Sequence, residues 1–142
     1  MPIPQTTRVN PLDLQGNIAI GVSLPFNGPA GPFNKTYSTA DQIRSNLINL
    51  LLTNKGERIM NPELGTDLKK VLFEGITENT KGIIKDLVTS NVALFIPEID
   101  ITDVVTTEVN ISSNYNSNTI SVSVNYIIKI SGQADQVTVQ FI

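Results

Sequence analysis

The hydrophobic period of this chain switches once, at Pro97, and the switch restricts the chain to an α+β architecture. Behind the proline, apolar and polar residues alternate. Ile120, Val122, Val124, Tyr126, Ile128 and Ile130 take turns with Ser121, Ser123, Asn125, Lys129 and Ser131, which predicts a strand with one buried and one wet face. Before it, Ile99, Ile101 and Asp103 give way to Val105, Thr107, Val109 and Ile111, so that strand should carry a kink or bulge near Val104 and Val105. Ser112–Asn118 reads as a hairpin loop, and a last strand with Val137, Val139 and Phe141 follows Gly132–Asp135. This last strand holds no proline and no inward charge, which leaves its edge open to another chain.

Ahead of the proline the period is helical. Thr39 with Gln42 three residues on forms a capping signature, and Ile43, Leu47, Leu50 and Leu51 make one apolar stripe that Leu52 widens. Lys55 is expected in the last turn and Gly56 as the left-handed stop. Asn61-Pro62 marks a second boundary. Thr66 or Asp67 should cap a short element with Leu68, Val71 and Leu72 on its apolar face, closed by Gly75. A second long helix is expected from Asn79 or Thr80 to Phe95, burying Ile83, Ile84, Leu87, Val88, Asn91, Leu94 and Phe95. The expected fold is α+β: two main helices and a short helix packed on a small, mainly antiparallel C-terminal sheet.

Residues 1–38 have a different character. Pro2, Pro4, Pro11, Pro25, Pro29 and Pro32, with Gly28 and Gly31, prevent a regular core. Yet Ile18, Ile20, Val22, Leu24, Phe26 and Phe33 are more apolar than a linker needs. The segment reads as an extended N-terminal arm ordered against something, with one edge strand within Asn17–Leu24. Residues 39–142 form a single domain.

Composition narrows the chemistry. The 142 residues include no Cys and no His, which removes disulfides, thiol nucleophiles, the commonest general base and the commonest zinc ligand. A net charge of −3, with no dense basic cluster, argues against nucleic acid. No apolar run approaches the ~20 residues of a membrane span, and the first residues lack signal-peptide grammar. Glu57, Glu63, Asp67 and Glu74 are the acidic cluster, and a glycosidase needs two carboxylates about 5–10 Å apart. Lys55 and Arg58 offer these acids local partners, so a solvated, salt-bridged turn is the simpler reading. No enzyme activity, cofactor or metal is expected.

That turn also carries a resemblance. Thr53, Lys55, Gly56 and Arg58, then Asn61, Pro62, Glu63 and Gly65, then Leu72, Phe73 and Glu74 fall within Thr53–Glu74. This run, with the helices on either side, resembles the baseplate-wedge protein of contractile-tailed phages. The family is also called the sheath initiator, has a type VI secretion counterpart, and carries an old lysozyme-like label. Two positions depart from its pattern. Leu64 stands where the family usually has Phe, and Ile96-Pro97-Glu98 replaces a Glu-Pro-Arg tripeptide.

The resemblance implies a structural component of the tail baseplate, present in the virion and in the host cytoplasm during assembly. By analogy six copies would sit around the tube. They would template the first ring of tail sheath protein by β-strand sharing and dock on baseplate wedge subunits, with tail tube or hub proteins nearby. Lys55, Arg58 and Glu63 in the turn, and Val137, Val139 and Phe141 in the last strand, are the interface residues this reading selects. Arg58 could instead be satisfied within its own chain by Glu63 or Asp67. The alternative function, taken from the old label, is a tail-associated muramidase.

Overall fold

In the computed structural model, residues 10–24, 33–110 and 118–141 are described. The order is a short 3-10 turn at Pro11–Leu14, β1 (Gly21–Val22), β2 (Lys35–Thr36), α1 (Thr39–Leu52), α2 (Leu68–Phe73), α3 (Glu78–Phe95), β3 (Ile99–Asn110), β4 (Asn118–Ile128) and β5 (Ala134–Phe141). β3, β4 and β5 form an antiparallel meander with β4 in the middle. The α+β arrangement is the one the period switch requires. The Pro-Gly cluster at 28–32 and most of the expected hairpin loop at 112–118 lie outside the described residues.

One core joins the helices to the sheet. Leu47, Leu50 and Leu51 of α1, Leu68 and Leu72 of α2, and Ile84, Val88 and Val92 of α3 meet Val122, Val124, Tyr126, Val137 and Val139 from the sheet. Alternation supplies the sheet's half of this contact, because every second residue of β4 and β5 faces the helices. Burying each such side chain contributes about 1.5–3 kcal/mol before chain entropy is subtracted.

Three local expectations need correction. Helix α1 stops at Leu52, ahead of Lys55 and Gly56, because Thr53 is extended and its hydroxyl bonds back to the Asn49 carbonyl at 2.6 Å. Gly56 does take a positive φ of 88°, but within the following turn. At the other end, Ser38 is the N-cap residue and makes no side-chain cap bond, and Gln42 returns no bond to Thr39. Gln42 instead accepts from the Thr36 hydroxyl at 2.6 Å and donates to Asn46 at 2.8 Å.

Helix α3 begins where Thr77 accepts from the Thr80 N–H at 3.2 Å. It ends at Phe95, ahead of Ile96 and Pro97, as expected. Its buried line is Ile84, Val88, Asn91 and Val92. Ile83 and Leu94 are exposed, since each lies roughly a quarter turn from that line. In β3 the bulge falls between Ile101 and Asp103, slightly upstream of the expected place. It shifts the phase so that Val104 pairs with Val124 and packs on the core, while Val105 is exposed. Asp103 accepts from the Val104 N–H at 2.9 Å and so satisfies a donor turned away from β4.

The arm is tied to α1. The expected strand within Asn17–Leu24 contracts to Gly21–Val22, paired antiparallel with Lys35–Thr36. Leu24 N–H donates to Ser45 Oγ at 3.1 Å, and the Gln42 amide lies against Gly21, where a Cβ would have to displace it. Asp13 accepts from both the N–H and the hydroxyl of Thr39, at 2.7 and 2.6 Å.

Candidate docking surfaces

The turn between α1 and α2 is held from within. The Glu57 carboxylate accepts from Asn54 N–H and Nδ2, at 3.1 and 2.8 Å, and these bonds lower its pKa below the ordinary carboxylate value. Gly56 N–H donates to the Pro62 carbonyl at 2.8 Å and Lys55 N–H to Asp67 Oδ1 at 3.0 Å. Buried Thr66 closes the base, its N–H on the Thr53 carbonyl and its hydroxyl on that of Leu51. Gly65 sits at φ 139°, where a Cβ would come within 2.7 Å of the Thr53 carbonyl oxygen. The next kink is Asp67, a non-glycine residue at φ 50°.

Of the polar residues selected from this turn, Arg58 donates to Asn49 Oδ1 at 2.8 Å, a partner on α1 that sequence did not suggest. Its expected acids are elsewhere: Asp67 pairs with Lys70 at 3.5 Å, and Glu63 makes no ion pair among the described residues. Lys55 and Glu63 are exposed. Sequence reasoning missed the apolar tip. Ile59 and Met60 are 95 % and 97 % exposed on a turn that its own hydrogen bonds immobilise. The available signal was two large apolar residues in a charged run with no period that could bury them.

The second surface is the β5 edge. Val137, Val139 and Phe141 turn their side chains into the core, so a partner at this edge meets the backbone and the exposed Gln136, Thr138 and Gln140 instead. Antiparallel pairing turns the N–H and C=O of alternate residues away from the neighbouring strand. Gln136 is one such residue: its C=O accepts from Arg44 at 3.1 Å and its N–H donates to Asp135 Oδ1 at 2.8 Å. By the same alternation Thr138 and Gln140 point outward, and their backbone groups have no partner among the described residues. A cleft of about 720 Å³ runs beside this edge, lined by Val137 and Thr138, by Arg44, Ser45 and Ile48 of α1, and by Leu24 and Lys35–Tyr37.

Behind the edge, the buried Tyr126 hydroxyl donates to Asp135 Oδ2 at 3.0 Å. Burial first, and then the adjacent carboxylate, push this phenol well above its ordinary value. Asp135 therefore joins the core of β4 to the outer edge of β5. The acids Glu57, Glu63, Asp67 and Glu74 line none of the four described cavities.

The family pattern of the baseplate wedge protein gp25 matches residues 38–133. The chain belongs to that family. This gp25-family protein is thus a structural component of a phage-type tail baseplate. The match runs from the N-cap of α1 to the β4–β5 turn, and the arm and β5 lie outside it. A Geobacter sulfurreducens crystal structure, described as a candidate tail lysozyme, shares the fold at TM-score 0.60 and 22 % identity, covering 73 % of this chain and 90 % of that one. A chain of the anti-feeding prophage baseplate, solved by cryo-electron microscopy with six-fold symmetry, matches at TM-score 0.57 and 19 % identity, over 72 % and 78 % of the two chains. No curated protein matches the sequence.

Proposed function

We propose that this gp25-family protein is the sheath initiator of its tail. It would stand on the baseplate and receive the first ring of tail sheath subunits through the β5 edge. The observation that carries the reading is the pair of outward backbone positions, Thr138 and Gln140, with no partner among the described residues, Thr138 bordering an open cleft. An extended arm of a sheath subunit satisfies these groups as an added strand, and the backbone supplies the affinity. The turn at 54–67, with Ile59 and Met60 at its tip and Lys55, Arg58 and Glu63 around them, is the surface for the wedge subunits. A rigid turn loses little entropy on binding, which favours it as an anchor. Six copies in a six-fold baseplate follow by analogy with the anti-feeding prophage.

The test is co-assembly of the full chain with its cognate sheath protein. Thr138→Pro removes one outward N–H at an edge position, where proline is tolerated. The variant should fold and fail to nucleate sheath. Thr106→Pro, on the outward-facing side of the opposite edge strand β3, should fold and nucleate normally. Normal nucleation by Thr138→Pro would end the strand-sharing reading. The muramidase alternative is tested separately: the full chain should not lyse cell wall, and lysis that disappears in Glu63→Gln would restore that alternative.

A further inference from the structure

The β5 edge is not uniformly open. Its first outward position, Gln136, is closed on both of its groups, the C=O by the Arg44 guanidinium from α1 and the N–H by Asp135. The next two, Thr138 and Gln140, have no backbone partner among the described residues. An edge with no boundary lets an added strand slide by two residues, because a two-residue slip keeps every side chain on its own face. A boundary that occupies one carbonyl removes the slipped registers beyond it.

We infer that Arg44 is a register stop for strand addition: it fixes the start of pairing at Thr138 and excludes pairing at Gln136. The inference rests on the strand-sharing function proposed above and specifies how that site is regulated. Arg44 suits the task. It projects from α1, which packs on β5, and lines the cleft beside the free edge. Asp135 supports it from the other side, since Oδ2 is held by the Tyr126 hydroxyl while Oδ1 takes the Gln136 N–H.

The geometry also specifies the occupant. Added beside β5, a strand places alternate side chains on the face of Val137 and Val139, toward Ile48 and Leu24, and the others beside Thr138 and Gln140. The matching segment is therefore an extended peptide of alternating apolar and polar residues whose pairing ends where Arg44 stands.

The natural chain has no cysteine, so register can be read by disulfide trapping without background. Thr138→Cys would be assembled with sheath protein bearing single cysteines along its arm. With Arg44 present, trapping is expected at one arm position. In Arg44→Ala a second product should appear two residues along the arm at comparable yield, and Arg44→Lys, which can still donate to the Gln136 carbonyl, should restore the single product. Because Arg44 is exposed, both substitutions should leave the far-ultraviolet circular dichroism unchanged. One and the same position in all backgrounds would overturn the register role and leave strand sharing intact. No trapping at any arm position would overturn strand sharing and the stop together. Trapping between two copies of this chain would assign the edge to self-association and overturn both.

Discussion

Asp13 caps a helix that begins twenty-six residues later, receiving both the N–H and the hydroxyl of Thr39 at its two carboxylate oxygens. The helix has no side-chain cap of its own, so the arm supplies what Ser38 does not. An acidic group at this end also complements the helix dipole. The arm is thereby part of the fold, joined by Leu24 on Ser45 and Thr36 on Gln42.

Asp13→Ala should lower stability by about 1 kcal/mol, the usual loss for an N-cap. Hydrogen exchange should rise along residues 10–24 and at the first turn of α1 together. A rise confined to the arm would show that the helix end does not depend on Asp13.

Tyr126 makes stability alkali-sensitive. Its folded pKa is raised above the ordinary value of about 10, so above that pH the folded state binds more protons than the unfolded one. The stabilisation is complete below pH ~10 and is lost progressively as pH rises through the folded value. The urea midpoint should therefore hold up to about pH 10 and fall above it. Tyr126→Phe should flatten that slope, at a constant cost of about 1–2 kcal/mol for the lost bond to Asp135.

Gly65 tolerates no side chain. Gly65→Ala must place a Cβ against the Thr53 carbonyl in a backbone conformation reserved for glycine, which costs roughly 1–3 kcal/mol before any clash is counted. Thermal unfolding reads the loss. Gly56→Ala, with a positive φ but open space around it, should cost less.

Ile59 and Met60 contribute little to the fold. The double substitution Ile59→Ser, Met60→Ser should change stability by less than about 0.5 kcal/mol per site, as exposed positions do. Incorporation of the chain into baseplates should nevertheless fall, measured as copies per purified particle. Unchanged incorporation would remove the tip from the proposed wedge-docking surface.

Local chemistry was legible in sequence wherever the determinant lay within a few residues. The stop before Pro97 and the alternation of Val122, Val124 and Tyr126 both follow from neighbours in the chain. The determinants that were missed act across space. Arg44 reaches Gln136 over 92 positions, and Asp13 reaches Thr39 over 26, so no window of sequence contains either pair. The bulge was anticipated but misplaced, because Ile-Thr-Asp-Val-Val permits the phase change at several points and Asp103, bonding the Val104 N–H, decides among them. The candidate surfaces divide in the same way. The turn was visible as a cluster of charge and glycine, and its apolar tip as two large apolar residues with no period to bury them, whereas the half-closed strand edge required knowing which groups the fold leaves over.

An edge that recognises its partner through amide and carbonyl groups is nearly indifferent to side-chain identity. Gln136, Thr138 and Gln140 point their side chains to solvent, and their replacement by other strand-forming residues alters no bond that the backbone can make. Such a contact can survive long sequence drift on both sides of the joint, provided that the alternation and the position of the closed carbonyl persist. Under the proposed strand sharing, parts from distant tails should then be interchangeable at this seam more readily than their sequences suggest.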